Sequence, residues 1–278
     1  ARYVYGLFSI LDEEENNNYQ TTFKYDYTYA RFSSAVISSF SIITVVLLCM
    51  EFISLRIGIY AGVILSMLPI FLGLSQIATL ESLLFFTFTS SVYAFFRFLK
   101  RMSYKNALIV GIFLGLALLS KVTNLLLIPL FISIFLIWNK YSGSIYKYKD
   151  FLKKVLAIVI SSITTFIVIW PMPFFNLISV LESSYELRSR LGATPSIEVF
   201  FGKLIHVPVF YFFVFFLITT PILILILFFI GSKYISDYGS TFNKLKGIEK
   251  KLNKKWIFYS LIISFLLPFI QSFYKSFF

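Results

Sequence analysis

The chain has 278 residues, of which 58% are hydrophobic and 14% are charged, and it carries a formal net charge of +12 and a mean hydropathy of +0.84. A chain of this composition cannot hide its apolar surface in a water-soluble fold, so we predict an integral membrane protein. One cysteine, Cys49, and one histidine exclude an intrachain disulfide and any metal site made of cysteine or histidine clusters.

Continuous apolar runs predict an all-α fold, a polytopic transmembrane helix bundle of about eight spans. In chain order the predicted spans are 33–52, 56–73, 80–98, 106–120, 123–138, 153–170, 208–231 and 255–274. The run 111–138 is too long for one span, which needs roughly 20 residues, and a lysine at its centre would be costly in lipid. We therefore predict a helical hairpin with Lys121 at its turn, at one membrane surface.

The loops complete a single transmembrane domain over 1–278, which we expect to be a piece of a longer protein. Its non-spanning parts are an outer segment (1–32), an outer loop (171–207) and a basic cytoplasmic loop (232–254). Within the outer loop, helical spacing predicts an interfacial helix over Asn176–Leu191. Thr194-Pro195 then predicts the start of a second short helix, with an N-cap followed by proline at the first helical position.

Charge predicts the orientation of the bundle. Most of the 25 lysines and arginines fall in loops that the alternation of spans places on one side, at 97–105, 140–154 and 233–255. The positive-inside rule makes that side cytoplasmic and the other side extracytoplasmic. The net charge is therefore mostly a topogenic signal. Because the basic residues are spread over separate loops, no nucleic-acid partner is predicted.

Two residues at the outer ends of predicted spans are the main candidates for a site. Glu81 lies at the mouth of the third span, where a carboxylate can bind a cation, orient a sugar hydroxyl or act as a base. It could instead be a helix-start carboxylate favoured by the helix dipole. Lys121 has the compact ammonium that binds a phosphate or pyrophosphate as a point charge. The alternative for Lys121 is a lysine that snorkels from a hairpin turn.

Four other outer-face residues are candidates for substrate binding. Arg31 opens the first span, where it could also be an interfacial anchor. His206 could be a general base or donate a hydrogen bond to a sugar or phosphate, or it could be structural. Arg188 and Arg190 could grip a lipid phosphate, or pair with glutamates at helical spacing.

Motifs of soluble nucleotide and hydrolase chemistry are missing from the sequence, which has no Walker loop, GxGxxG, nucleophile elbow, HExxH or CxxC. Any chemistry at the outer ends of the spans would take place where nucleotide sugars are generally absent. A lipid-linked substrate is therefore the natural choice.

Five segments follow one another in a characteristic order. They are ARFSSAVISSFSIITVVLL (Ala30–Leu48), MLPIFLGLSQIATLESLLFFTFTSSVYAFF (Met67–Phe96), GIFLGLALLSKVTNLLLIPL (Gly111–Leu130), WPMPFF (Trp170–Phe175) and FFGKLIHVPVFYFFVFFLITTPILIL (Phe200–Leu225). Together they resemble the GT-C membrane glycosyltransferases of the protein-mannosyltransferase and aminoarabinose-transferase type. Each segment is weak by itself, and the resemblance depends on their order and spacing across most of residues 30–230.

The resemblance implies transfer of a sugar from a polyprenyl- or dolichyl-phosphate donor to a protein, lipid or glycan acceptor. By position, Glu81 matches the family's acidic residue at the third-span mouth, and Lys121 matches its hairpin lysine near the donor phosphate. The family's usual catalytic aspartate lies in a first outer loop well before Arg31, and only about 30 residues precede Arg31 here. Glu81 is therefore the catalytic candidate within this chain, and the base proper is expected outside it. The sequence identifies no certain cofactor, and a divalent metal is one possible cofactor.

Two other functions remain as hypotheses. A multi-pass transporter or lipid flippase would explain polar residues on the outer face, but it predicts polar groups at mid-depth in the spans, where this sequence has almost only serine and threonine. A non-catalytic membrane scaffold is the third. For all three we expect a multi-pass protein in contact with the lipid bilayer. The expected location is a prokaryotic cytoplasmic membrane, with the site facing outside.

The predicted orientation can be tested by cysteine labelling. A cysteine at Ser184, in the outer loop, should react with a membrane-impermeant thiol reagent added from outside. A cysteine at Ser142, in a cytoplasmic loop, should not react. The reverse pattern would contradict the orientation and the outer-face site that depends on it.

Overall fold

A computed structural model describes residues 28–52, 54–142, 148–171, 175–176, 178, 182, 197–200, 202–206 and 211–238. In chain order the described helices are α1 (Thr28–Phe52), α2 (Leu55–Ser66), α3 (Pro69–Ser75), α4 (Leu80–Lys100), α5 (Tyr104–Ser120), a 3₁₀ helix (Val122–Leu126), α6 (Leu127–Ser142), α7 (Tyr148–Ile169), α8 (Tyr211–Thr219) and α9 (Ile222–Tyr238). The all-α class and the helical membrane bundle are confirmed. The chain divides into two units, one of residues 1–127 with 146–169 and one of residues 128–145 with 170–278.

Three described helices are long and apolar enough to cross a membrane: Thr28–Glu51, Leu80–Lys100 and Asp150–Ile169. They confirm the predicted first, third and sixth spans. The predicted fourth and fifth spans appear as shorter apolar helices, Tyr104–Ser120 and Thr123–Asn139. The predicted eighth span, 255–274, lies outside the described residues.

Two predicted spans are wrong as continuous helices, and a proline explains each. The span 56–73 is a pair of helices, α2 and α3, that meet at an angle of 70° just before Pro69. The span 208–231 is divided into α8 and α9 at Pro221. Proline lacks an N–H and disfavours the helical conformation of the residue before it, so a new helix begins at or after the ring.

The segment predicted as the outer loop, 171–207, contains a β-hairpin that the sequence did not predict. Strand β1 (Ile197–Phe200) pairs antiparallel with β2 (Lys203–His206), with Phe200 opposite Lys203. Gly202 lies in the connection with φ of +76°, a left-handed conformation that glycine adopts without steric cost. The helix predicted from Thr194-Pro195 is therefore wrong over β1. Most of the interfacial helix predicted over Asn176–Leu191 lies outside the described residues.

Small hydroxyl side chains fill the contact between α1 and α4 in the first unit. The buried hydroxyls of these helices are Ser33, Ser34, Ser38, Ser41, Thr44, Ser82, Thr87, Thr89, Ser90 and Ser91. Ser38 donates a hydrogen bond to Ser82 (3.1 Å), and Thr44 lies 3.5 Å from Ser90. Large apolar side chains of α1, such as Phe32 and Phe40, point outward instead. This inverted pattern is typical of membrane helices, which attract one another by close packing and hydrogen bonds rather than by the hydrophobic effect.

Glycine pairs bring two other helix pairs close together. A Cβ at Gly115 of α5 would lie 2.7 Å from the carbonyl oxygen of Ser162 on α7, and a Cβ at Gly111 would collide with Ser161. On α2, Cβ atoms at Gly58 and Gly62 would lie 2.6–2.7 Å from atoms of Val46 on α1. Both pairs have the small-xxx-small spacing that lets membrane helices touch backbone to backbone.

The contacts fix the helix directions within the first unit. Helices α1 and α4 run parallel, since Ser38 meets Ser82 near one end and Glu51 pairs with Lys100 (3.2 Å) at the other. Helix α5 runs antiparallel to α4, because Ser120 at the end of α5 lies beside Thr87 in the first half of α4. It runs parallel to α7, because Tyr104 at the start of α5 has its ring 5.9 Å from the Nζ of Lys154 near the start of α7. These directions agree with the alternation predicted for the first, third, fourth and sixth spans.

A glycine substitution tests the α5–α7 contact. Gly115→Ala puts a methyl group against the backbone of α7, which cannot move without shifting the helix, and should destabilise the protein by about 1–3 kcal/mol. Gly73→Ala in α3 is the control, because a Cβ there meets nothing within 4 Å. Thermal unfolding in detergent should show a lower midpoint for Gly115→Ala alone. Equal midpoints for the two variants would contradict the close packing.

Candidate functional site

Glu81 lies in the first turn of α4 at one end of the first unit. Thr79 is the N-cap in an extended conformation, and Leu80 begins the helix. A carboxylate in a first turn interacts favourably with the free N–H groups and the positive end of the helix dipole. The other end of α4 carries Arg97 and Lys100, which complement the negative end of the dipole in the same way.

Lys121 is the residue at which the long apolar run 111–138 is interrupted. Helix α5 ends at Ser120, Lys121 is extended (φ −159°, ψ 139°), and the 3₁₀ helix Val122–Leu126 follows. The predicted break at Lys121 is confirmed. As the C-cap of α5, Lys121 holds its positive charge near the negative end of that helix.

The two charges meet. The Lys121 Nζ lies 2.9 Å from the Glu81 Oε1, and about 40% of each side chain is exposed. The antiparallel contact of α4 and α5 produces this pair, because it places the start of one helix beside the end of the other. The two main candidates from the sequence therefore lie in direct contact, while their roles remain predictions. A lysine ammonium has three donors, so a pair with one carboxylate oxygen leaves donors for a ligand.

A buried polar cluster of Thr87, Ser120 and Asn124 lies near the ion pair, and none of its members was a predicted site residue. The Thr87 Oγ1 on α4 lies 3.1 Å from the Ser120 Oγ at the end of α5. The Asn124 Nδ2 donates to the Ser120 Oγ (3.0 Å) and to the Ala117 carbonyl (2.8 Å). All three polar side chains are at most 6% exposed. The signal in the sequence was a polar asparagine within an apolar run, three residues after Lys121. Helical spacing does not relate it to Ser120, because the helix ends at Ser120 and Lys121 is extended.

Arg31 lies at the same end of the first unit as the ion pair. It is exposed in the first turns of α1. One turn later, the Ser34 Oγ donates to the Ile77 carbonyl (2.9 Å), just before α4 begins. The start of α1 therefore adjoins the segment that leads into Glu81.

The remaining candidates belong to the second unit of the chain. His206 ends strand β2, with Ile197 as its partner in the register, and belongs to the second unit. Because the chain forms a hairpin there, His206 lies at the end of a strand and not of a helix. Arg188 and Arg190 lie outside the described residues. Among the residues that the structure describes, no group of three or more His, Cys, Asp or Glu could hold a metal ion.

The long apolar helices define a polytopic membrane protein, and a pair of opposite charges lies at one end of the helices of its first unit. Comparison with protein families matches residues 22–170 to the dolichyl-phosphate-mannose-protein mannosyltransferase family. The match covers more than half of the chain, and the chain belongs to this family, which makes it an integral membrane glycosyltransferase of the GT-C type. Searches of curated proteins and of solved structures find no significant match.

The contribution of the ion pair to stability should be small. Partly exposed pairs contribute about 0–1 kcal/mol because water screens both charges and two long side chains must be ordered. In a double-mutant cycle of Glu81→Gln and Lys121→Met, the coupling free energy from thermal unfolding should stay below about 1 kcal/mol. A coupling of several kcal/mol would show that the pair is mainly structural.

Proposed function

We propose that this protein transfers a sugar from a polyprenyl- or dolichyl-phosphate donor to an acceptor on the extracytoplasmic side of the membrane. The observation that carries the proposal is the Glu81–Lys121 pair, which joins α4 and α5 inside the family-matched region. The pair lies at the end of the first unit opposite the basic residues Arg97, Lys100 and Arg101. By the positive-inside rule the basic end faces the cytoplasm, so the end that carries the Glu81–Lys121 pair faces outward.

Lys121 is assigned to the donor phosphate. In the reaction the bond between the sugar and the phosphate oxygen breaks, and the leaving lipid phosphate gains negative charge. A fixed ammonium stabilises that charge more in the transition state than in the ground state, which lowers the barrier. About 40% of the Lys121 side chain is exposed, which supports contact with a ligand that approaches from the membrane surface.

Glu81 has two tasks in the proposed reaction. Before the donor binds, its carboxylate holds the Lys121 ammonium in position through the 2.9 Å contact. When a phosphate takes up donors of Lys121, the same carboxylate can accept a hydrogen bond from a sugar or acceptor hydroxyl. Glu81 alone is not proposed as the base that removes the acceptor proton.

Arg31, His206, Arg188 and Arg190 are proposed as further substrate contacts. Support for Arg31 is its position at the start of α1, beside the segment that leads into Glu81. For the other three the support is their place in the outer loop of the sequence. The acceptor is a protein, lipid or glycan, and the family favours a protein.

The arrangement of hydroxyls favours transfer over transport. A transporter needs polar groups at mid-depth that can bind a solute. At mid-depth of α1 and α4 the hydroxyls of Thr44, Thr89 and Ser91 donate to carbonyls of their own helices. Their hydrogen bonds are satisfied within the bundle, which supports a structural role.

Removal of the Lys121 ammonium tests the proposal. A charge-assisted contact of this kind is worth about 1.5–3 kcal/mol, and 1.4 kcal/mol is about tenfold in rate. Lys121→Ala in the intact protein should therefore lower turnover of the lipid-phosphate sugar by about ten- to a hundredfold. Lys121→Arg should restore only part of it, because a planar guanidinium does not replace a compact ammonium.

Lys100→Ala is the matched control. Lys100 also forms an ion pair with a glutamate, Glu51, at 3.2 Å, but at the opposite end of the first unit. Its removal should leave turnover per folded molecule unchanged, and the membrane level of both alanine variants should stay near that of the parent. Equal turnover in Lys121→Ala and the parent would reject the assignment of Lys121 and support the transporter or scaffold hypothesis.

A further inference from the structure

Lys121 is held on both sides by hydrogen bonds of its own backbone. Its N–H donates to the Ala117 carbonyl at the end of α5 (3.4 Å), and its carbonyl accepts from the N–H of Asn124 in the 3₁₀ helix (3.0 Å). Because Lys121 itself is extended, it would otherwise be the joint about which the end of α5 and the 3₁₀ helix could turn. The direction of its side chain depends on these two flanking contacts.

Two side chains also bind the Ala117 carbonyl, the acceptor of the long hydrogen bond from the Lys121 N–H. Both the Asn124 Nδ2 (2.8 Å) and the Ser120 Oγ (2.7 Å) donate to the same Ala117 carbonyl. They supply donors to a carbonyl near the helix end, where the last carbonyls have no N–H partner within the helix. Asn124 thus contacts both the carbonyl of Lys121 and the turn before it, and it closes a loop around the lysine.

Thr87 fastens this loop to the helix that carries Glu81. Its hydroxyl lies 3.1 Å from the Ser120 Oγ. Because Ser120 gives its one hydroxyl proton to the Ala117 carbonyl, Thr87 is the donor in this contact. Thr87 comes six residues after Glu81, which is about 9 Å along the axis of α4. The segment around Lys121 is therefore attached to α4 at two heights, by a buried hydroxyl contact and by the ion pair at the surface.

We propose that Thr87, Ser120 and Asn124 are positioning residues that hold the Lys121 ammonium in place for the donor phosphate. The proposal rests on the proposed function of Lys121 and adds to it the residues that aim the lysine. None of the three is proposed to touch the substrate. Buried hydrogen bonds suit this task because they have nearly one geometry, whereas a half-exposed ion pair alone leaves the long lysine side chain mobile.

Substitutions at Thr87 separate positioning from packing. Thr87→Val keeps the shape and removes the hydroxyl, and it should lower kcat/KM for the lipid donor by about three- to tenfold, the worth of about one hydrogen bond. Thr87→Ser keeps the hydroxyl and should recover most of that loss. The control is Thr89→Val on the same helix. Thr89 is also buried, but its hydroxyl lies within hydrogen-bond distance of the Phe85 (2.8 Å) and Phe86 (3.1 Å) carbonyls of its own helix. Loss of this hydroxyl should leave kcat/KM unchanged.

A double-mutant cycle shows whether the effect passes through the lysine. In a Lys121→Ala background the further loss from Thr87→Val should disappear, because there is no ammonium left to position. Asn124→Ala should behave in the same way. Independent losses that multiply in the double variants would overturn the proposal and leave the cluster with a role in packing only.

A measurement without turnover keeps this inference separate from the proposed function. Cysteines at positions 81 and 121, in a protein with Cys49 replaced by serine, should be joined efficiently by a short bifunctional thiosulfonate reagent. Thr87→Val and Asn124→Ala should each lower the yield by at least about twofold, and Thr89→Val should not. An unchanged yield would overturn the inference. If the yield falls but Lys121→Ala keeps full turnover, the positioning stands and the proposed function fails.

Discussion

The close approach of helices through small side chains is the constraint on which the rest of this structure depends. Within lipid, helices gain nothing by hiding apolar surface from one another, so van der Waals contact and hydrogen bonds must hold them together. Helix α4 meets α1 through facing serines and threonines, and α5 meets α7 through Gly111 and Gly115. Larger residues at these positions would separate the helices, and the contacts at the ends would be lost with them.

The candidate site follows from this packing. The antiparallel contact of α4 and α5 sets the start of one helix beside the end of the other, and each end carries a charge that its own helix dipole favours. Glu81 and Lys121 thus come together at the surface of the bundle, where water lowers the cost of both charges. The same pair at mid-depth would be expensive in lipid, which explains why a polar site forms at the helix ends.

The hydrogen-bonded cluster below the pair shows how such a site can be precise although it is half exposed. Ser120 and Asn124 complete the open end of α5, and Thr87 ties that end to α4. Without them, the break in the chain at Lys121 would be a flexible joint between two helices. With them, the backbone around this surface lysine is held by a buried hydrogen-bond network, which is the preorganisation that the proposed phosphate contact requires.

The sequence by itself determined the membrane class, the long helices α1, α4 and α7, the break at Lys121 and the glycosyltransferase family, because apolar length, charge asymmetry and motif order are all written along the chain. It did not determine the bend at Pro69, the division at Pro221 or the β-hairpin, where a local backbone preference competes with a continuous apolar pattern. Only the tertiary structure decided that Glu81 meets Lys121 and that Thr87 reaches Ser120. These pairs are 40 and 33 residues apart, and their contact depends on which helix faces touch, a choice made by small-residue packing that no single segment contains.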